Sequence, residues 1–88
     1  MIKHKFKLEP GGKEFWVNRS EEAVLKILLQ FSPHFTTLSR MAENIGLTTM
    51  SVKNILKDLR PIVISAGGVI ENNYSRGYRV MKVTEFPK

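Results

Sequence analysis

Eighty-eight residues, 42% of them apolar and 25% charged, suffice for one small folded domain spanning residues 1–88 and exclude a wholly disordered chain. The absence of cysteine removes disulfides, thiolate metal sites and cysteine nucleophiles. The net charge of +6 is unevenly placed: residues 51–88 hold seven basic against three acidic side chains, residues 1–50 seven against five, so the C-terminal half favours a polyanionic partner.

The chain opens with alternation. Phe6 and Leu8 share one face and Lys5 and Lys7 the other; Pro10-Gly11-Gly12 marks a turn; Phe15 and Val17 then alternate with Glu14 and Trp16. This pattern predicts a β-hairpin with its apolar face inward. Asn18 followed by Glu21 matches a capping box, in which each side chain satisfies a backbone N–H of the other. A first helix is expected to run to about Phe31, with Val24, Leu25, Leu28 and Phe31 as its buried stripe. Ser32-Pro33-His34 ends it.

Thr36 or Thr37 is expected to cap a second helix whose Leu38, Met41, Ala42 and Ile45 face inward, and Gly46 to stop it. Leu47-Thr48-Thr49 leads to a third helix over about 50–60, with Val52, Ile55, Leu56 and Leu59 as its stripe. Pro61, which lacks an N–H, is expected to kink or end that helix, leaving an irregular turn up to Ala66 before Gly67-Gly68. Val69 to Asn72 and Tyr78 to Val83 read as two strands around a turn at Asn73 to Gly77. The order is ββ-α-α-α-ββ, an α+β fold.

From Leu38 to Leu56 the residues fit a helix-turn-helix. A small residue is needed where the two helix backbones approach, and Ala42 supplies it; the tight turn needs tolerance of positive φ, and Gly46 supplies that. The outward face of the third helix and its approach carry Thr48, Thr49, Ser51, Lys53, Asn54 and Lys57, which are hydrogen-bonding or cationic groups of a length suited to base edges and phosphates. Asp58 is the one discordant charge. The second informative stretch, Asn72 to Arg79, is rich in donors. Arg76 near a projecting hairpin tip, with Arg79 behind it, suits the negative potential of a minor groove. Tyr78 and Val80 are assigned to the core. Trp16 and Phe35 are candidates for a partner surface, with burial in the core as the favoured assignment.

These features resemble the winged-helix DNA-binding domain at the C-terminus of two-component response regulators and of related transmembrane activators. The likeness runs from Phe15 to Val83. Val17-Asn18-Arg19-Ser20-Glu21 and Val24-Leu25-Lys26-Ile27-Leu28 are similar to the family's first helix and its approach. Val52 to Leu59-Arg60 is similar to its recognition helix, and Arg76-Gly77-Tyr78-Arg79-Val80 to its Gly-Tyr wing strand. The resemblance implies a winged helix-turn-helix with an N-terminal β-hairpin, three helices and a C-terminal β-hairpin wing. The recognition helix (about 50–60) would enter the major groove and the wing (about 69–83) would meet the minor groove or backbone. It carries over Lys53, Asn54, Lys57 and Arg76 as contacts, with Tyr78 structural. The N-terminal sheet is shortened to a hairpin, and a stand-alone form without a phosphorylatable receiver is expected. The connector between helices two and three is very short, where the family often has a longer loop that contacts RNA polymerase, so the resemblance leaves a direct polymerase contact open.

The expectation is a transcriptional regulator acting on double-stranded DNA, with a second copy on an adjacent half-site. Two other readings stay open: an architectural or recombination accessory protein resembling an excisionase, and a protein-docking adaptor or anti-regulator with an acidic partner. Enzyme activity is not expected. His4 and His34 stand apart, without a serine or carboxylate in a recognisable arrangement, and no cofactor or metal site is anticipated. No apolar stretch approaches the ~20 residues of a membrane span, and the basic start at Met1-Ile2-Lys3-His4-Lys5 has no apolar signal core after it. A cytoplasmic location is expected.

Overall fold

The computed structural model describes residues 3–8 and 13–82, the side chains of His4 and Lys82 excepted. Its elements are β1 (Lys3–Lys7), β2 (Glu14–Asn18), α1 (Arg19–Phe31), α2 (Leu38–Ile45), α3 (Thr49–Ser65), β3 (Gly68–Asn73) and β4 (Gly77–Lys82). The three helices and two antiparallel hairpins make the α+β fold that the residue patterns predict. The turn expected at Pro10-Gly11-Gly12 and the strand end expected at Val83 lie outside the described residues.

In the first hairpin Phe6 pairs with Phe15, their rings meeting edge to face at 5.8 Å. Phe15 and Val17 are buried, whereas Trp16, between them, points out and is 56% exposed. The favoured core assignment for Trp16 is therefore corrected. The strand pleat sends neighbouring side chains to opposite faces, so burying its two neighbours forces the indole outward. There the Lys5 ammonium sits 5.6 Å from its ring.

Local signals place the first two helices. Asn18 Oδ1 accepts from the Glu21 amide at 2.8 Å while the Glu21 carboxylate accepts from the Asn18 amide at 2.9 Å. Val24, Leu25 and Leu28 of α1 are fully buried, whereas Phe31, expected in the same stripe, is only half-buried at the last turn, with the Arg40 guanidinium 5.6 Å from its ring. Thr37, and not Thr36, caps α2 by accepting from the Arg40 amide at 3.2 Å. Gly46 ends α2 at φ +80°, and the amides of Gly46 and Leu47 both turn back onto the Ala42 carbonyl.

The third helix corrects the expectation at Pro61. It begins one residue early, at Thr49, and continues through Pro61 to Ser65. An interior proline costs about 3 kcal/mol through its missing hydrogen bond and ring clash. Pro61 lies on the exposed side of the helix. Beyond it, fully buried Val63 and half-buried Ile62 continue the apolar stripe begun by Val52, Leu56 and Leu59. Burying side chains of this size stabilises by roughly 1.5–3 kcal/mol each, enough to offset the proline. The Ala66 amide closes the helix on the carbonyls of Ile62 and Val63.

The second hairpin is pinned from outside. Thr36, in the α1–α2 connector, forms a two-bond bridge with Tyr78: its amide donates to the Tyr78 carbonyl at 2.7 Å and its carbonyl accepts from the Tyr78 amide at 2.8 Å. Ser32 adds a hydroxyl bond to the Val80 carbonyl at 2.8 Å. Tyr78, Val80 and Ile70 are buried, completing the core over the helices.

Thr36 is 2% exposed, and its hydroxyl has no hydrogen-bond partner among the described residues. A buried hydroxyl left without a partner carries its desolvation cost, and valine has nearly the same shape. We expect Thr36→Val to raise stability by about 1 kcal/mol. In a domain of this size that is a rise of roughly 4–8 °C in thermal midpoint. An unchanged or lower midpoint in a melting experiment would show that the hydroxyl is satisfied.

Candidate nucleic-acid interface

The face of α3 follows from its period. With about 100° between successive residues, burying Val52, Leu56, Leu59 and Val63 leaves positions 50, 53, 57 and 60 as one outer stripe. Met50, Lys53, Lys57 and Arg60 occupy that stripe and all are exposed, with Asn54 beside it. Asp58 falls on the far flank, about 100° beyond Lys57. The carboxylate that is discordant in the sequence thus stands away from the cations.

Between this stripe and the second hairpin runs an open groove of about 470 Å³. Lys53, Lys57 and Arg60 line it with Met50, Asn54 and Asn72, over Leu56 and Tyr78. Three cations and two carboxamides, with no carboxylate among the lining, give it positive charge and hydrogen-bonding groups of the kind that suit phosphates and base edges.

Two smaller recesses continue the surface. One lies between the hairpin tip and the start of α2, lined by Thr37, Ser39, Asn72 and Tyr74 among others. It shares Asn72 and Tyr78 with the α3 groove. The next lies between the α1–α2 connector and the hairpin, with His34, Thr37, Ser75 and Arg76 in its wall; it shares Thr37 and Ser75 with the middle recess. Through these shared walls the three recesses follow one another as a track from α3 across the hairpin tip.

The residues singled out from the sequence divide along this track. Lys53, Asn54 and Lys57 come together in the α3 groove. Arg76 is exposed but stands at the other end, in the recess beside the connector. Thr48 is engaged locally: its hydroxyl accepts from the Ser51 amide at 3.1 Å and donates to the Ser51 hydroxyl at 2.9 Å, capping α3. Thr49 is exposed at the first turn, and half-buried Ser51 is held by that cap. Neither they nor Thr48 line the groove.

Arg79 has a different occupation. Its guanidinium pairs with Glu71, its register partner across the hairpin, donates to the Pro33 carbonyl at 3.1 Å and lies 4.5 Å from the centre of the half-buried Phe35 ring. It braces the hairpin against the connector instead of offering a free cation. The opposite charges of Glu71 and Arg79 signal this pairing once the strand register is known.

Arg60, Asn72 and Tyr74 belong to the track and were not assigned contacts from the sequence. Arg60 was legible, because it lies seven residues after Lys53 on the same face. Asn72 and Tyr74 join the site only through the way the hairpin packs. Among the described residues no cluster of three or more metal-ligating side chains occurs, and no helix is long and apolar enough to cross a membrane. Compared with known proteins, the chain matches no protein-family model, no curated protein and no solved structure.

Proposed function

We propose that this chain is a winged helix-turn-helix protein that binds double-stranded DNA as a transcriptional regulator in the cytoplasm. In this reading α2, Gly46 and α3 form the helix-turn-helix, α3 enters the major groove, and the β3–β4 hairpin is the wing. The observation that carries it is the carboxylate-free groove lined by Lys53, Asn54, Lys57, Arg60 and Asn72, which shares Asn72 and Tyr78 with the recess at the hairpin tip. Lys53, Lys57 and Arg60 bind phosphates or guanine edges, Asn54 reads an adenine edge, and Arg76 holds the strand beyond the tip. Arg79, in the wall of the same recess as Arg76, is paired with Glu71 and serves mainly to position the wing. The likeness to response-regulator effector domains supports the same docking. A single recognition helix covers one half-site, so specific binding uses two copies about one helical turn apart.

Selection of sites from a random duplex library at two salt concentrations tests this reading. We expect an enriched motif, repeated at about one helical turn, that the Lys53→Ala/Arg76→Ala variant loses. Binding without a motif that collapses with salt would reassign the protein to architectural, phosphate-driven contact. The absence of binding to any duplex at low salt would overturn the proposal and point to an acidic protein partner.

A further inference from the structure

Tyr74 is fully exposed, the most open of the large hydrophobic side chains among the described residues. The other aromatics of the described residues have structural employment: Phe15 and Tyr78 are buried, Phe6 packs on the core, Phe31 and Phe35 lie under Arg40 and Arg79, and Trp16 lies under Lys5. Tyr74 occupies the tip of the β3–β4 hairpin, and that tip is held firmly. Asn73 Oδ1 accepts from the amides of Ser75 and Arg76, both at 3.0 Å, so one side chain organises the whole turn. Behind it, Asn73 pairs with Gly77, and the next residue, Tyr78, is bonded through both its amide and its carbonyl to Thr36.

A ring on a braced tip loses little freedom when it docks. It also lines the recess that adjoins the α3 groove. Asn72 lines that groove, and Tyr74 lies two residues further along the hairpin, roughly 7 Å at strand spacing. Arg76 flanks it on the far side, in the adjoining recess. Beyond Lys53, Lys57 and Arg60 the surface thus presents an aromatic ring and then a cation.

We propose that Tyr74 is a base-stacking wedge: its ring enters the stack of the bound duplex from the minor groove at one base step, unstacking and kinking it. Rings and apolar side chains wedge between bases in this way, and the distortion is least costly at pyrimidine–purine steps. Tyr74 thereby selects sites by deformability, at a position where no base edge is hydrogen-bonded. The proposal rests on the DNA-binding reading above and adds the residue that distorts the DNA.

The test uses the full chain and duplexes enriched by it from a random library. Permanganate reactivity of thymines reports unstacking at any step, whatever the register in which the protein docks. We expect one or a few thymines to become reactive on binding, to remain so with Tyr74→Phe, and to return to background with Tyr74→Ala. Tyr74→Ala is expected to weaken binding about tenfold, in the range for loss of one base–aromatic stack, with the salt slope unchanged because no charge is removed. Its melting temperature should equal that of the wild type, since the ring touches no core. Binding by wild type with no reactive thymine, or with the same pattern and affinity in Tyr74→Ala, would overturn the wedge and leave the DNA-binding reading intact. Failure of the wild type to bind any duplex would overturn both.

Discussion

Gly77→Ala is expected to destabilise the protein by roughly 2–5 kcal/mol, combining positive-φ strain with overpacking. Gly77 has φ +108°, a region that L side chains rarely adopt. A Cβ built there would overlap the Thr36 carbonyl oxygen and lie 2.7 Å from both the Thr36 carbonyl carbon and the Thr37 Cα. Both obstacles are backbone and are held by the Thr36–Tyr78 bridge, so neither can swing aside. A domain of this length is stabilised by only about 4–13 kcal/mol in total, so much of the molecule's margin is at stake. Gly46→Ala is the control. Its φ is also positive, at +80°, but nothing lies within 4 Å of the added methyl. Strain alone should cost about 1–2 kcal/mol there. Urea unfolding of the two variants separates strain from collision. Equal losses would mean that the hairpin does not approach the connector as closely as described.

The Lys53→Ala/Lys57→Ala variant is expected to fold normally and to bind duplex DNA about sixty-fold more weakly at 0.1 M salt. Each lysine that neutralises a phosphate adds about 0.9 to the slope of log affinity against log salt, which is close to an eightfold gain per contact at 0.1 M. Two such contacts multiply, and the slope should fall by about two. Both side chains are exposed on α3, so thermal stability should not move. Titration of a labelled duplex at several salt concentrations checks both quantities. A loss confined to the enriched motif, with the slope hardly changed, would assign the lysines to guanine edges. An unaltered affinity would remove α3 from the interface. Arg79→Ala should behave differently from either lysine: it loses the brace of Glu71, Pro33 and Phe35, and with it the placement of the hairpin.

Much of the fold was legible because its causes are local. The Asn18–Glu21 capping box, the Thr37 cap and the Gly46 stop each depend on atoms within five residues of chain, and helical period picks out the buried Val24, Leu25 and Leu28 of α1 and Val52, Leu56 and Leu59 of α3, though Phe31 and Ile55 on the same stripes are only half-buried. The stripe of Lys53 and Lys57 was legible for the same reason, and Arg60 extends it by the same period. Where the readings failed or fell short, a distant contact decided. Pro61 sits inside a helix because Val63 and Ile62, further along, have a core to enter. Trp16 is outside because burial of Phe15 and Val17 leaves its face of the hairpin to solvent. Thr36 has the composition of a helix cap, yet its amide and carbonyl bond to Tyr78, 42 residues later.

The site divides in the same way. The sequence determined that the outer face of α3 is cationic and hydrogen-bonding, because a helix presents its residues in a set order whatever surrounds it. Only the tertiary structure decided which other groups join that face. The Thr36–Tyr78 bridge holds the hairpin so that Asn72 enters the α3 groove, Tyr74 crowns the tip, Arg76 faces the connector and Arg79 becomes a brace. The physical reason is that a side chain's role as a free donor or an internal tie depends on partners brought within hydrogen-bonding distance by packing, and sequence spacing carries no record of those distances.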